Sequence, residues 1–517
     1  MKTVPLNAGP MTSFFARHAD FLARHNPTRM IIMFLLGLGA ALFLVTAAIE
    51  RFAPDRGPEP ARGPRALLEV LSVASLLAAI VLLAVFPFEA YPLLSGTFLH
   101  TRLDLPAALV IFSFVLGATR RILYGRASDA VSAIERPVAI LVVVLALGSI
   151  LAADRAMSLA NLERYFLCYA AALLAGAWCP MGPRLFKTSL ATVLAALGFV
   201  AAVGLVEAAG WKDFLYGAYF RAFTPLFYHA NLRPKPFSTL GHYMALASYL
   251  LALMPIALYA AIRSEGPLKL LGRVVSALSF ACILLTMSRG AYLAFAAALP
   301  FLWRLSAANR RRIVAAAAVI ALLCGGLMVA RRPRGRVAPF DTHGIQDNEL
   351  GKPYIWNAAE AKSIFISQRI LGIRIACGIL ARHPILGAGL GQFRALYDVF
   401  LPEGVHNRNP IWSTADDAYM TLLAEAGILG LGALLLLVAG LLRFFWLIAT
   451  RRADGDDGPL AMAMMASSVG FFAHLLVYDG FYWYTAPLCA FTTMGLFSSA
   501  LIEMGEVRRR GSAGACP

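Results

Sequence analysis

Apolar runs of about 20 residues, the length needed to cross a bilayer, recur along almost the whole chain and decide what it can fold into. Inside hydrocarbon every backbone N–H and C=O must be satisfied within the protein, which selects helices for runs of this kind. Hydrophobic residues make up 59% of the 517 and charged residues only 15%, with a mean hydropathy of +0.69. No soluble fold presents that balance to water. The expected class is therefore an all-α polytopic membrane protein with about twelve transmembrane helices, surrounded by membrane lipid.

The runs fall at 30–49, 67–86, 103–118, 137–153, 162–178, 189–209, 237–262, 273–287, 291–303, 313–330, 418–449, 460–477 and 481–502. Leu103–Ala118 is the weakest of these. Leaving it out gives twelve spans with both ends on one side. Basic clusters such as Arg310-Arg311-Arg312, Arg451-Arg452 and Arg508-Arg509-Arg510 fall on a common side when the spans alternate. The positive-inside rule makes that side cytoplasmic. It is one reading of the formal net charge of +17, and an anionic ligand is the sharper one. The basic residues are dispersed among spans, so no nucleic acid partner is expected.

The chain then divides into a cytoplasmic tail (1–29), a first transmembrane part (30–330), a large periplasmic loop (331–417), a second transmembrane part (418–502) and a cytoplasmic tail (503–517). Every other polar gap is much shorter than the large loop, and a loop of that length is usually functional or disordered. Within it, Ala358–Arg382 reads as a helix with Ile366, Ile370, Ile373 and Cys377 along one face. Seven cysteines occur, none at metal-ligand spacing, so neither a disulfide framework nor a metal site is expected.

Three constellations carry possible chemistry. Four outward-facing arginines come first: Arg233 before a span, Arg289 in the Ser288-Arg289-Gly290 break between two spans, and Arg369 and Arg374 on the loop helix. Guanidinium groups hold phosphate bidentately and keep their charge when partly desolvated, so several together would bind a pyrophosphate. Snorkelling is the bland alternative for any one of them. The second is Arg382-His383-Pro384 followed by glycines at 387, 389 and 391, either a turn whose amides approach a ligand or simply a tight turn. The third is Asp416-Asp417 at the start of the next span, with Glu425 two helical turns inside it. The aspartates would cap that helix or act chemically. An intramembrane carboxylate such as Glu425 is a functional candidate by default.

Together these segments resemble the O-antigen ligase and Wzy-type polymerase superfamily. Arg233-Pro-Lys-Pro-Phe-Ser-Thr-Leu-Gly-His242 is similar to its first arginine block, Thr286-Met-Ser-Arg289-Gly to its Ser-Arg-Gly block, and Arg382–Gly430 to its His-Pro-apolar-Gly-x-Gly turn and loop-exit helix. The resemblance implies a GT-C-like fold in the bacterial inner membrane with a multi-pass topology and a site facing the periplasm. It implies transfer of a glycan from an undecaprenyl-pyrophosphate donor to a hydroxyl on a lipid or glycan acceptor, without cofactor or metal. The implied site has Arg233, Arg289, Arg369 and Arg374 on pyrophosphate. His242, Arg382, His383, Gly387 and Gly389 line its cavity, while the residues themselves, not the resemblance, make Asp416, Asp417 and Glu425 the catalytic candidates, Asp416 first as acceptor of the hydroxyl proton. Ligases carry His-Asn where this chain has Asp416-Asp417, which tilts the expectation towards a polymerase. O-antigen ligase is the alternative, a divalent cation on the aspartate pair is a further variant, and a transporter or flippase is the rival from another class.

Overall fold

The computed structural model describes residues 63–85, 96–98, 101–103, 105–124, 129–179, 181–209, 236–305, 310–330, 358–401, 415–451 and 457–513. Fifteen helices are named here from the described residues: α1 Gly63–Val85, α2 Leu105–Tyr124, α3 Asp129–Leu151, α4 Arg155–Asn161, α5 Cys168–Trp178, α6 Pro183–Ala208, α7 Tyr243–Arg263, α8 Gly266–Leu285, α9 Arg289–Leu305, α10 Arg310–Ala330, α11 Ala358–Arg382, α12 Gln392–Leu396, α13 Ala418–Arg451, α14 Asp457–His474 and α15 Thr485–Ala513. A π-helical stretch, Leu162–Leu167, joins α4 to α5. A two-stranded hairpin, Gly96–Phe98 with Thr101–Leu103, precedes α2.

Nine helices among the described residues are long and apolar enough to cross a membrane. The protein is an all-α polytopic membrane protein. The weakest expected span is among the nine, as α2. The candidate span Met30–Ile49 and the whole of Gly210–Lys235 lie outside the described residues.

The most apolar stretches of α15 and α7 are 94% and 89% buried, against 28% for α2 and 33% for α8. This sorts the bundle into central helices and a lipid-facing rim. With no hydrophobic drive between helices in lipid, close approach depends on small residues. Gly176 of α5 and Gly495 of α15 lie back to back, so a Cβ on Gly176 would sit 2.6 Å from the Leu496 backbone nitrogen. Gly272 of α8 meets Ala260 and Ala261 of α7 in the same way. α9 packs along α14, α14 along α7 and α13, and α13 also along α3. The N-terminal ends of α7, α9, α13 and α15 and the C-terminal end of α14 thereby gather at one end of the bundle.

α11 has the bounds expected from the sequence, Ala358–Arg382. The face it packs differs. Ile370, Ile373 and Cys377 are exposed, and Ile375, Ala376 and Ile379 are buried with Phe393 and Tyr397. Apolar residues occur all round this helix, so periodicity alone does not select the stripe that meets α13.

α13 is not continuous. Gly427 has φ 65° and ψ −169°, which breaks the helix just two residues after the buried Glu425. The backbone groups freed by the break are taken up by the glycine turn that follows α11. Ala388 N donates to Ala424 O (3.0 Å) and Gly389 N to Glu425 O (2.8 Å), while Ile428 N and Leu429 N donate to Pro384 O (3.0 Å) and Ile385 O (3.2 Å). Non-helical backbone at membrane depth is tolerated only where protein supplies such partners. Two motifs some forty residues apart in sequence are thus two halves of one hydrogen-bonded joint.

Candidate active site

The site is assembled around the short crossing Leu475–Tyr484 between α14 and α15. The Ser288-Arg289-Gly290 block meets it first. α8 ends at Leu285, Met287 adopts φ 52°, and Ser288 Oγ accepts from Ala291 N (3.2 Å), capping α9. Gly290 lies against the crossing: a Cβ there would run into Val477 and reach within 3.6 Å of His474 Cδ2. Only glycine permits this approach. Arg289 opens α9 with its side chain exposed.

Arg369 arrives at the same place from α11. Its Nη2 donates to Val477 O (3.0 Å), and its Nε is buried without a hydrogen-bond partner among the described residues. Its charge acts on Asp417, His474 and Tyr243. Arg369 of the loop helix and Gly290 of the Ser-Arg-Gly block therefore meet at Val477, with Arg289 the residue next to Gly290. Arg374 does not join them. It is exposed and, five residues along α11, points about 140° away from Arg369. Arg233 lies outside the described residues.

The aspartate pair divides its labour. Asp417 Oδ1 accepts from Tyr419 N (2.9 Å) and Met420 N (3.1 Å) and so caps α13. Burial pushes the Asp417 carboxyl above the usual carboxylate range, against the pull of those two amides and of Arg369. Asp416 has the left-handed φ of 52°, a conformation non-glycine residues seldom hold. It is half-buried, and its charge reaches Tyr243, Tyr397 and Asp479.

Glu425 is buried with both oxygens engaged. One accepts from Phe393 N (3.0 Å), the other from the Tyr482 hydroxyl. It clasps α12 and the crossing to the broken helix. The amides of the glycine turn are also occupied: Gly387 N by His383 O (3.1 Å), Gly389 N by Glu425 O, and Gly391 N by the Tyr482 hydroxyl (3.2 Å). Gly387 and Gly389 have φ of 71° and 109°, and a Cβ at Gly387 would collide with the Glu425 carbonyl. Their positive φ serves the joint with α13. Arg382 stacks over Phe400 at 4.5 Å, and His383 is exposed. His242 caps α7 through Nδ1 and packs its ring on Trp483 (4.9 Å) and Tyr478 (5.8 Å).

Residues 274–435 match the family model described as O-antigen ligase. The resemblance read from the sequence is borne out over that segment. It contains the Ser-Arg-Gly block, α11, the glycine turn, the aspartate pair and the break in α13. The first arginine block and the crossing lie outside it. No curated protein matches the chain. The chain is accordingly a multi-pass membrane protein with a segment, residues 274–435, similar to the O-antigen ligase family.

Sequence reasoning missed the crossing, Tyr478-Asp-Gly-Phe-Tyr-Trp-Tyr484, by leaving 478–480 as a gap and assigning 481–484 to the start of the last span. Its signal was an acid among five aromatics in a turn too short to be an ordinary loop. Asp479 is buried, with Oδ2 accepting from Thr421 Oγ1 (3.1 Å) and Oδ1 without a partner among the described residues. Burial and the neighbouring Glu425 charge push its carboxyl well above the usual range. Among the described residues no group of His, Cys, Asp and Glu is placed to hold a metal ion.

Proposed function

We propose that this protein is a glycosyltransferase of the bacterial inner membrane, moving a glycan from an undecaprenyl-pyrophosphate carrier to an acceptor hydroxyl at the periplasmic side. The observation that carries the reading is Arg369 bonded at Val477, where Gly290, the neighbour of Arg289 at the start of α9, packs on the same residue. Two guanidinium groups beside one helix N-terminus suit a diphosphate, because amides and cations both favour anionic oxygen there.

In the reaction the acceptor oxygen attacks the anomeric carbon. The bond from that carbon to the phosphate oxygen breaks, and the electron pair leaves with the pyrophosphate. Arg289 and Arg369 stabilise the charge that develops, and Arg233 is proposed to join them. The acceptor proton passes to the Asp416 carboxylate. A single displacement inverts the anomeric centre. Charge neutralisation by arginine needs no metal, so transfer should survive EDTA. Polymerisation is favoured over ligation because Asp416-Asp417 replaces the His-Asn that ligases carry.

The test is transfer by purified full-length protein from a carrier-linked glycan, with and without EDTA. Arg369→Ala and Arg289→Ala should each lower the rate by about 10²–10³, and EDTA should leave wild type unchanged. Unimpaired transfer by both variants would overturn the reading. Accumulation of carrier-linked units on the inner side in an Arg289→Ala strain would indicate a flippase instead.

A further inference from the structure

His474 is fully buried at the C-terminal end of α14. Its Nδ1 is tied to Ser248 Oγ of α7 at 2.6 Å. Its Nε2 is also buried and has no hydrogen-bond partner among the described residues. Buried polar nitrogens are almost always hydrogen-bonded, so an orphan of this kind marks a partner other than the described residues. The direction in which Nε2 faces identifies that partner. The adjoining ring carbon, Cδ2, is the atom that approaches Gly290 at the start of α9. Arg369 acts on the same ring and is bonded to Val477, three residues on. The open edge of the imidazole therefore faces the α9 N-terminus and Arg369, both assigned above to the diphosphate.

We propose that His474 is a third nitrogen ligand of this oxyanion site: Ser248 Oγ–H donates to Nδ1 and fixes the ring, and Nε2–H donates to a phosphate oxygen alongside Arg289 and Arg369. This rests on the proposed function and adds a residue from outside the O-antigen ligase family segment. The donating tautomer requires that Nδ1 accept, so Ser248 Oγ–H is its donor. Ser248 is then a positioning residue.

The experiment uses full-length protein in detergent, with inorganic pyrophosphate titrated calorimetrically and donor kinetics run in parallel. His474→Ala should weaken pyrophosphate binding by about tenfold or more, the scale of one hydrogen bond to a charged group, and raise the donor KM more than it lowers kcat. Glutamine places an amide nitrogen where Nε2 lies, whereas asparagine places it where Nδ1 lies. His474→Gln should thus stay within about threefold of wild type while His474→Asn falls with alanine. That contrast decides the matter even if the alanine variant fails to fold.

Unchanged affinity in folded His474→Ala, with Arg369→Ala weakened, removes His474 and leaves the proposed function intact. Equal losses in the glutamine and asparagine variants reduce the ring to a packing role and overturn the proposal. Wild-type affinity in Arg289→Ala and Arg369→Ala, or no binding by wild type, removes the oxyanion site and the underlying reading together.

Discussion

Asp416 and Asp417 are neighbours with separable jobs, and substitutions distinguish them. Asparagine tolerates left-handed backbone, so Asp416→Asn should keep the fold and remove only the charge. Transfer should fall by about 10²–10⁴, the range for loss of a general base, with an unchanged melting curve. Asp417→Asn should retain the helix cap and most activity, whereas Asp417→Ala should cost about 1 kcal/mol of stability in thermal unfolding. Asp479 offers a pH test. Its folded carboxyl titrates well above the ordinary value of about 4, so the folded state favours the proton. The stability this gives is complete below the unfolded pKa and is lost as pH rises through the raised one. Asp479→Asn should therefore raise the melting temperature more at pH 8 than at pH 5. Equal shifts at both values would count against a buried, protonated Asp479. The sequence made the arginines and the aspartate pair legible because charge is costly next to apolar runs. His474 and Asp479 escaped because a lone histidine near a span end or an acid in a short turn has an ordinary structural reading. Only the fold shows which nitrogen or oxygen is left over.

At the scale of elements, spans followed from composition, and most boundaries agree within a few residues. The loop helix was legible to the residue at both ends, yet its buried stripe was not. The break at Gly427 was not legible either, since an isolated glycine inside an apolar run is ordinarily tolerated in a helix. Its significance depends on the Pro384–Gly391 turn arriving beside it. Gly427→Ala should cost about 1–3 kcal/mol from this positive-φ, essentially glycine-only backbone alone. Collision with the Ile385 carbonyl adds to that. Thermal unfolding in detergent should register the loss, and Gly430→Ala is no substitute control because its Cβ would meet Ala426. Gly432→Ala, in open space, should leave stability unchanged.

The molecule as a whole has an orientation to test. Cys377 is exposed on α11, while the other described cysteines are buried. If the loop faces the periplasm, a membrane-impermeant maleimide should label the native protein in intact cells whose outer membrane has been permeabilised. Cys377→Ser should abolish that label. Labelling only after inner-membrane lysis would reverse the topology and move the arginine site to the cytoplasmic side. The same test bears on function, because the positive-inside reading and the donor's proposed location stand on one assignment.

The splice between the glycine turn and α13 also bears on how the protein is made. The ribosome delivers Pro384–Gly391 before Gly427, so the receptor for the interrupted helix already exists when that helix enters the bilayer. A chain cut or lengthened within the intervening segment would insert a helix whose exposed amides and carbonyls have nowhere to go. Biogenesis, more than catalysis, would then be the first thing to fail.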